Sequence, residues 1–467
     1  MSDKDKTLLI VIVAAAALCG CFVISCCAAG FYVLSHTDKN TVQELLNSGT
    51  IENHTDDPAE GTPVEKALDT FSSDNNSDGL SEAEQMIIEE TEKVRGLSSS
   101  DKLAPVYQSE EELREYLIGQ LEEVSDEELA DELLLFNILG FAPKDFDLRQ
   151  FYIDMYTEQI AGFYDPEENQ MYLIKEDSPY ENAVTLSHEY THFLQYNHPD
   201  FSGTLQYEDD FCEDNGETCL IIDALIEGDA TLTEGLIDAE SIIGKYRDFS
   251  GTSSSSDSVY DSAPKYFQDS LLFPYVYGYD FVAYHYLKGG FDAVNDLYVN
   301  LPQSIEQIMH PEKYLKDAPV DVQTEPFRSM IDAEFDIIRE DVLNEADIKM
   351  LLSDGYDENW QLSEQQSSVA AEGWGGGSFI IAKKDDKPLF FSKMVWDSEK
   401  DAEEAETVFK LYSDRRFSST ESTGIWKTED ASSVYLVRQN DVLYWMILPD
   451  NFEADSFIGL IQNGSIL

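Results

Sequence analysis

Basic side chains are scarce in this chain. Its 467 residues include 30 lysines and arginines against 93 aspartates and glutamates, a formal net charge of −63. So acidic a surface repels nucleic acid and anionic membrane surfaces, and no nucleic-acid partner is expected. It draws in cations and basic partners. A salt-adapted surface, a solubility device and a preference for basic peptides all fit that charge. Histidine is rare too, at seven residues. Of six cysteines, Cys19, Cys21, Cys26 and Cys27 fall in one apolar stretch, which leaves Cys212 and Cys219 in a polar loop. Two thiols are too few for an all-cysteine metal centre. Outside a cell they are expected to close a short disulfide loop.

One long apolar run stands out. Thr7 to Leu34 carries no charge and exceeds the roughly 20 residues needed to span a bilayer. Lys4 and Lys6 precede it, which biases the N-terminus toward the cytoplasm, although Asp3 and Asp5 weaken the bias. Residues 1–34 are therefore expected to form a transmembrane anchor of a single-pass cell-membrane protein whose remaining mass is extracytoplasmic. Lipidation is the alternative, because Val23-Ile24-Ser25-Cys26 is lipobox-like, yet Ala28 to Leu34 beyond it stays apolar.

Residues 35–79 are polar and acidic, the composition of a linker. At its end Asp74, Asn76 and Asp78 alternate ahead of Gly79, as in the first half of a calcium loop. The twelfth position is Gln85 instead of a bidentate Glu, so Ca²⁺ and a plain acidic turn are both open. Helical spacing predicts helices over 81–94, 110–121 and 126–139. Residues 159–174 read as strand, turn, strand. Ser178-Pro179-Tyr180-Glu181 then supplies an N-cap, a proline at the first helical position and a capping-box glutamate. That helix must stop before Pro199. Further helices are expected over 220–239, 281–298 and 326–343, with a serine-rich insertion at 250–262. After about 346 a glycine-rich turn at 373–377, strands over 379–382 and 389–391, a helix over 401–409 and strands over 433–438 and 442–448 indicate a small α+β unit appended to the part before it.

The chemistry lies on the fifth of these segments, in His188-Glu189-Tyr190-Thr191-His192. Histidines four apart sit one turn apart on one helix face, where both imidazoles reach one Zn²⁺. Glu189 stands beside them as the general base for a metal-activated water. Leu186, Tyr190 and Phe193 form an apolar stripe on the other face. A catalytic zinc needs a third protein ligand. Glu227 is one candidate, on a helix where Asp223, Glu227 and Glu234 share a polar side and Gly228 permits close approach to the motif helix. His198 is the other, six residues beyond His192, but Gln195 stands where that pattern has a turn-forming glycine. An oxyanion donor is sought among Tyr275, Tyr277, Tyr279, His285 and His310.

These strings together resemble a group of largely uncharacterised bacterial zincin-like metallopeptidases. The likeness rests on Gly162-Phe163-Tyr164-Asp165-Pro166, on the motif helix, on Glu227-Gly228-Asp229-Ala230, on Phe273-Pro274-Tyr275 and on His310-Pro311-Glu312-Lys313-Tyr314. It covers about 110–315 and extends weakly to Gly373-Trp374-Gly375-Gly376. It implies a zincin fold and peptidase activity, names no particular substrate and leaves the third ligand open; a peptide or protein is the expected partner. The expected fold class is α+β: a mainly helical zincin-like domain with a small edge-strand sheet over 80–345, a small C-terminal α+β domain over 346–467, and the N-terminal transmembrane helix. A catalytically inactive scaffold is the competing function.

Overall fold

The computed structural model describes residues 23–25, 79–174, 179–206, 211–242, 258–331, 335–384, 387–420, 424–450, 452 and 454–462. Serines set the starts of the first three helices. In α1 (Glu82–Arg95), α2 (Glu110–Glu123) and α3 (Asp126–Leu139), Ser81, Ser109 and Ser125 each cap a backbone N–H, while the glutamate three residues on reaches back. Each reciprocal pair satisfies donors that helix geometry leaves open. Between α1 and α2 lies a short strand, β2 (Val106–Gln108). After α4 (Leu148–Gln159) the hairpin β3 (Gly162–Asp165) and β4 (Gln170–Ile174) forms as its turn residues predict. Asn169 takes the positive φ of that turn.

The motif helix α5 (Pro179–Tyr196) packs against this hairpin. Leu186, Tyr190 and Phe193 share a core with Tyr164, Met171 and Leu173, so the apolar stripe seen in the sequence does face the protein. Two long helices follow, α6 (Gly216–Ile242) and α7 (Lys265–Val299), the latter kinked at Gly289 and Gly290. They cross in backbone contact. A Cβ on Gly228 would lie 2.2 Å from the Gly278 carbonyl oxygen, and one on Gly278 would lie 2.0 Å from that of Ala224. Gly228 thus admits α7, not the motif helix for which the sequence had suggested it. Cys212 and Cys219 are disulfide-bonded just ahead of and within α6.

The C-terminal part departs most from expectation. It is built on a seven-stranded antiparallel sheet, not a small unit, in the order β5–β6–β7–β11–β10–β9–β8. Its strands are β5 (Asp336–Val342), β6 (Trp374–Lys384), β7 (Lys387–Trp396), β8 (Ser418–Ser419), β9 (Ile425–Lys427), β10 (Ser433–Gln439) and β11 (Val442–Leu448). Helices α8 (Glu345–Ser353), α9 (Glu364–Ala371), α10 (Glu399–Arg416) and α11 (Ala454–Gln462) accompany it. The helix expected over 326–343 is a short turn, Phe327–Ile331, followed by β5. Pairing with β6 overrides the local helical pattern there. The glycines at 375–377 belong to β6 instead of a turn. Without side chains they admit two crossing segments, since a Cβ on Gly376 would lie 2.5 Å from Val320 O and one on Gly377 2.3 Å from Leu343 O. The sheet packs directly on the helical part. Phe136 and Tyr152 of the helical part share one apolar core with Phe390 and Trp445 of the sheet.

The membrane anchor is corrected as well. Val23–Ser25, at the centre of the predicted transmembrane helix, is a strand, β1, paired antiparallel with Gly162–Tyr164. It lies at the edge of a four-stranded sheet ordered β1–β3–β4–β2, in which β2 runs parallel to β4. β-Branched Val23 and Ile24 suit an extended chain, and the open edge of β3 offers the backbone partners. No helix among the described residues is long and apolar enough to cross a membrane. The single-pass topology and its extracytoplasmic placement thus have no support in the fold. The rest of 1–34, the linker up to residue 78, the calcium-like Asp74, Asn76 and Asp78, and residues 243–257 lie outside the described residues.

Candidate metal centre

His188 and His192 project from one face of α5 with ring centroids 4.7 Å apart. From α6, Glu227 turns its carboxylate onto both: Oε2 lies 3.1 Å from His188 Nε2 and 3.6 Å from His192 Nε2. One donor atom from each of the three falls within 4.8 Å of the others. All three residues are buried. His198 takes no part in this group; its ring packs at a tilt on Phe201, with centroids 4.3 Å apart. Packing thus brings Glu227, and not His198, beside the two histidines.

The far sides of both imidazoles are held. His188 Nδ1 lies 2.9 Å from Glu234 Oε2, and His192 Nδ1 lies 2.8 Å from Gln195 Oε1. Both partner atoms can only accept, so each Nδ1 carries a proton and each Nε2 points toward Glu227. Gln195 is fixed in turn, because its amide donates to Ile226 O and to Asp229 Oδ2. Asp229 also receives hydrogen bonds from Arg95 and from the Tyr298 hydroxyl. A buried polar chain thus ties α1, α5, α6 and α7 together behind the two histidines.

Carboxylate charge from Glu227 and Glu234 gathers at His188. Burial would lower the pKa of His188, but hydrogen bonds to Glu227 and Glu234 override it and raise it to about 10. Burial would raise that of Glu227, yet His192 and His188 hold it below the usual carboxylate range. His192 is lowered, by burial and by its neighbour His188. Its Nε2 is buried with no hydrogen-bond partner, an unmet acceptor aimed at the same point. Two imidazole nitrogens and one carboxylate with fixed outer partners are a donor set that a divalent metal satisfies. A second acidic group, Glu306, Asp317 and Asp397, is also close-set. There Lys313 Nζ already stands 2.6 Å from Glu306 and 3.2 Å from Asp317 and supplies the positive charge.

Glu189 follows His188 on the same turn and is fully buried. Of the oxyanion candidates, Tyr275 comes nearest, with its ring centroid 6.4 Å from that of His188. Tyr277 accepts a hydrogen bond from Lys349, and Tyr279 lies in the core of the helical part. His285 packs on Phe281 and Tyr314, and His310 pairs with Glu345. The sequence placed Glu234 on the right side of its helix but gave it no role, and Gln195 entered as a missing glycine and as part of the motif-helix resemblance, with no role at the site. The signal for Glu234 was its seven-residue spacing from Glu227, two helical turns on.

Residues 333–457 match the family model of a domain of unknown function (DUF8575), which spans the sheet from β5 to the start of α11. No curated protein and no solved structure matches this chain.

Proposed function

We propose that this chain is a zinc-dependent peptidase in which His188, His192 and Glu227 hold the metal and Glu189 is the general base. The observation that carries the reading is the convergence of two Nε2 atoms and one carboxylate oxygen while both Nδ1 atoms are engaged elsewhere. Three protein ligands leave a coordination position for water or substrate. Zinc, when bound, lowers the pKa of that water and polarises a carbonyl. Glu189, screened from bulk solvent, accepts a proton from the attacking water and returns it to the departing amine. Tyr275 is the residue best placed to donate its hydroxyl to the developing oxyanion. The resemblance carried by the motif helix and by Glu227-Gly228-Asp229-Ala230 supports the same reading.

The complete burial of Glu189 favours a second one, a binding protein whose metal stabilises a closed site. Metal analysis of the full chain, with peptide cleavage measured beside it, separates the two. The expected result is about one zinc per chain, lost in Glu227→Ala and kept in His198→Ala. Cleavage of a mixed peptide library should vanish in Glu189→Gln while its zinc remains. Bound zinc without cleavage by the unmodified chain would leave the binding protein. A folded chain that retains no zinc after exposure to excess zinc would overturn both.

A further inference from the structure

Between the helical part and the C-terminal sheet lies a partly open cavity of about 130 Å³. Glu227, a member of the metal group, is also on its wall. The helical side is Leu220 of α6 with Phe273 and Tyr275 of α7. The other side comes from the matched C-terminal unit: Val342 of β5, Ala346 of α8 and Phe379 of β6. Neither part encloses this space alone.

Building on the peptidase reading, we propose that the C-terminal unit is part of the substrate site. It closes a pocket that takes a bulky apolar side chain (leucine, methionine or phenylalanine) from a residue adjoining the scissile bond. The size fits: an apolar protein cavity of roughly 150 Å³ stays dry and accepts a benzene ring. The position fits because a substrate carbonyl held beside Glu227 brings the neighbouring side chain to the cavity mouth.

The bordering charges argue for an apolar occupant over a basic one. Asp341 is paired with Arg339 at 3.1 Å, Glu217 accepts the Ile305 N–H at 2.9 Å, and Asp347 accepts the Asn344 N–H at 3.0 Å. These carboxyls are already used in holding the fold, and Asp223, also on the wall, has a partner as well. Burial also pushes Glu217 up to about 8 and Asp347 to about 7, the behaviour of groups in an apolar setting.

The test uses the full chain loaded with zinc and two readouts. The first is a peptide set varied at one position beside the cleaved bond, scored as relative kcat/KM. Leucine or phenylalanine should exceed alanine by roughly tenfold to a hundredfold, as side-chain burial in a fitted pocket allows. The second needs no turnover: leucine hydroxamate should bind at least about tenfold more tightly than glycine hydroxamate, from the same burial. Ala346→Phe fills the pocket from the C-terminal side and should bring both ratios close to one. Phe379→Leu enlarges it and should shift preference toward tryptophan, which keeps the test open if the first variant does not fold. Cleavage with no preference for bulky apolar residues, with a preference for lysine or arginine, or with ratios that neither variant moves, would overturn the pocket and leave the peptidase standing. Absent cleavage with the hydroxamate ratio intact would sink the peptidase reading and keep a side-chain pocket at the metal. Equal hydroxamate binding without cleavage would remove both.

Discussion

His188 Nδ1 stands 2.9 Å from Glu234 Oε2, with the ring clasped between that carboxylate and Glu227. His192 has a neutral amide, Gln195, in the corresponding place. The two ligand histidines are thus unequal, and His188 is the more basic of them. Glu234→Ala should weaken zinc binding by roughly tenfold to a hundredfold. Glu234→Gln retains an acceptor and should recover part of that loss. Competition with a zinc-chelating dye measures both; equal affinity in all three proteins would remove Glu234 from the site.

Behind the histidines, Asp229 and Arg95 form an ion pair at 2.7 Å with both side chains fully buried. Taking away one partner strands the other charge in the interior, which costs about 3–5 kcal/mol. Asp229→Ala should therefore lower the melting temperature by on the order of 10 °C. It also removes one of the two acceptors that hold the Gln195 amide, so zinc affinity should fall with it. A melting temperature within a degree or two of the parent would show that the pair is not structural.

The crossing of α6 and α7 has no room for a methyl group. A Cβ at residue 278 meets a backbone carbonyl, not a flexible side chain, and overpacking of this kind costs about 1–3 kcal/mol or more. Gly278→Ala should lower thermal stability and, by displacing Glu227, weaken metal binding. Gly119→Ala serves as the control, because nothing lies within 4 Å of a Cβ there and the change favours the helix.

Buried carboxyls make stability depend on pH. Burial raises Glu132 and Glu217 to about 8 and Asp347 to about 7. The folded chain therefore binds protons more tightly than the unfolded one, so this stabilisation is full below about pH 4.5 and lost as pH rises through 7 to 8. Urea denaturation should give a midpoint that declines from pH 5 to pH 9. In Glu217→Gln, which keeps an acceptor for the Ile305 N–H, the decline should be shallower. An unchanged slope would mean that Glu217 titrates normally.

Local chemistry was open to reading in the sequence because its causes are local. The capping serines, the β3–β4 turn and the start of α5 at Pro179 each depend on residues within a few positions of one another. β5 was not legible, because a strand that pairs with residues some forty positions onward can carry a helical pattern. The run at 7–34 misled for a related reason. Apolar length suggests a bilayer span, while Val23–Ser25 finds its partners on β3, far along the chain.

By itself, the sequence determined that His188, Glu189 and His192 share one turn of one helix, since helical period fixes that wherever the helix lies. It also supplied a carboxylate at Glu227 and another two turns on at Glu234. Only the tertiary structure brought Glu227, and not His198, beside the two histidines, gave Glu234 and Gln195 their partners, and placed Phe379 of the C-terminal sheet across a cavity from Leu220. Those choices depend on where α6 is held relative to α5. The Gln195 amide of α5 ties the two by donating to Ile226 O and Asp229 of α6, while the Gly228–Gly278 contact and the buried Arg95–Asp229 pair hold α6 against α7 and α1, all between segments that no local spacing records.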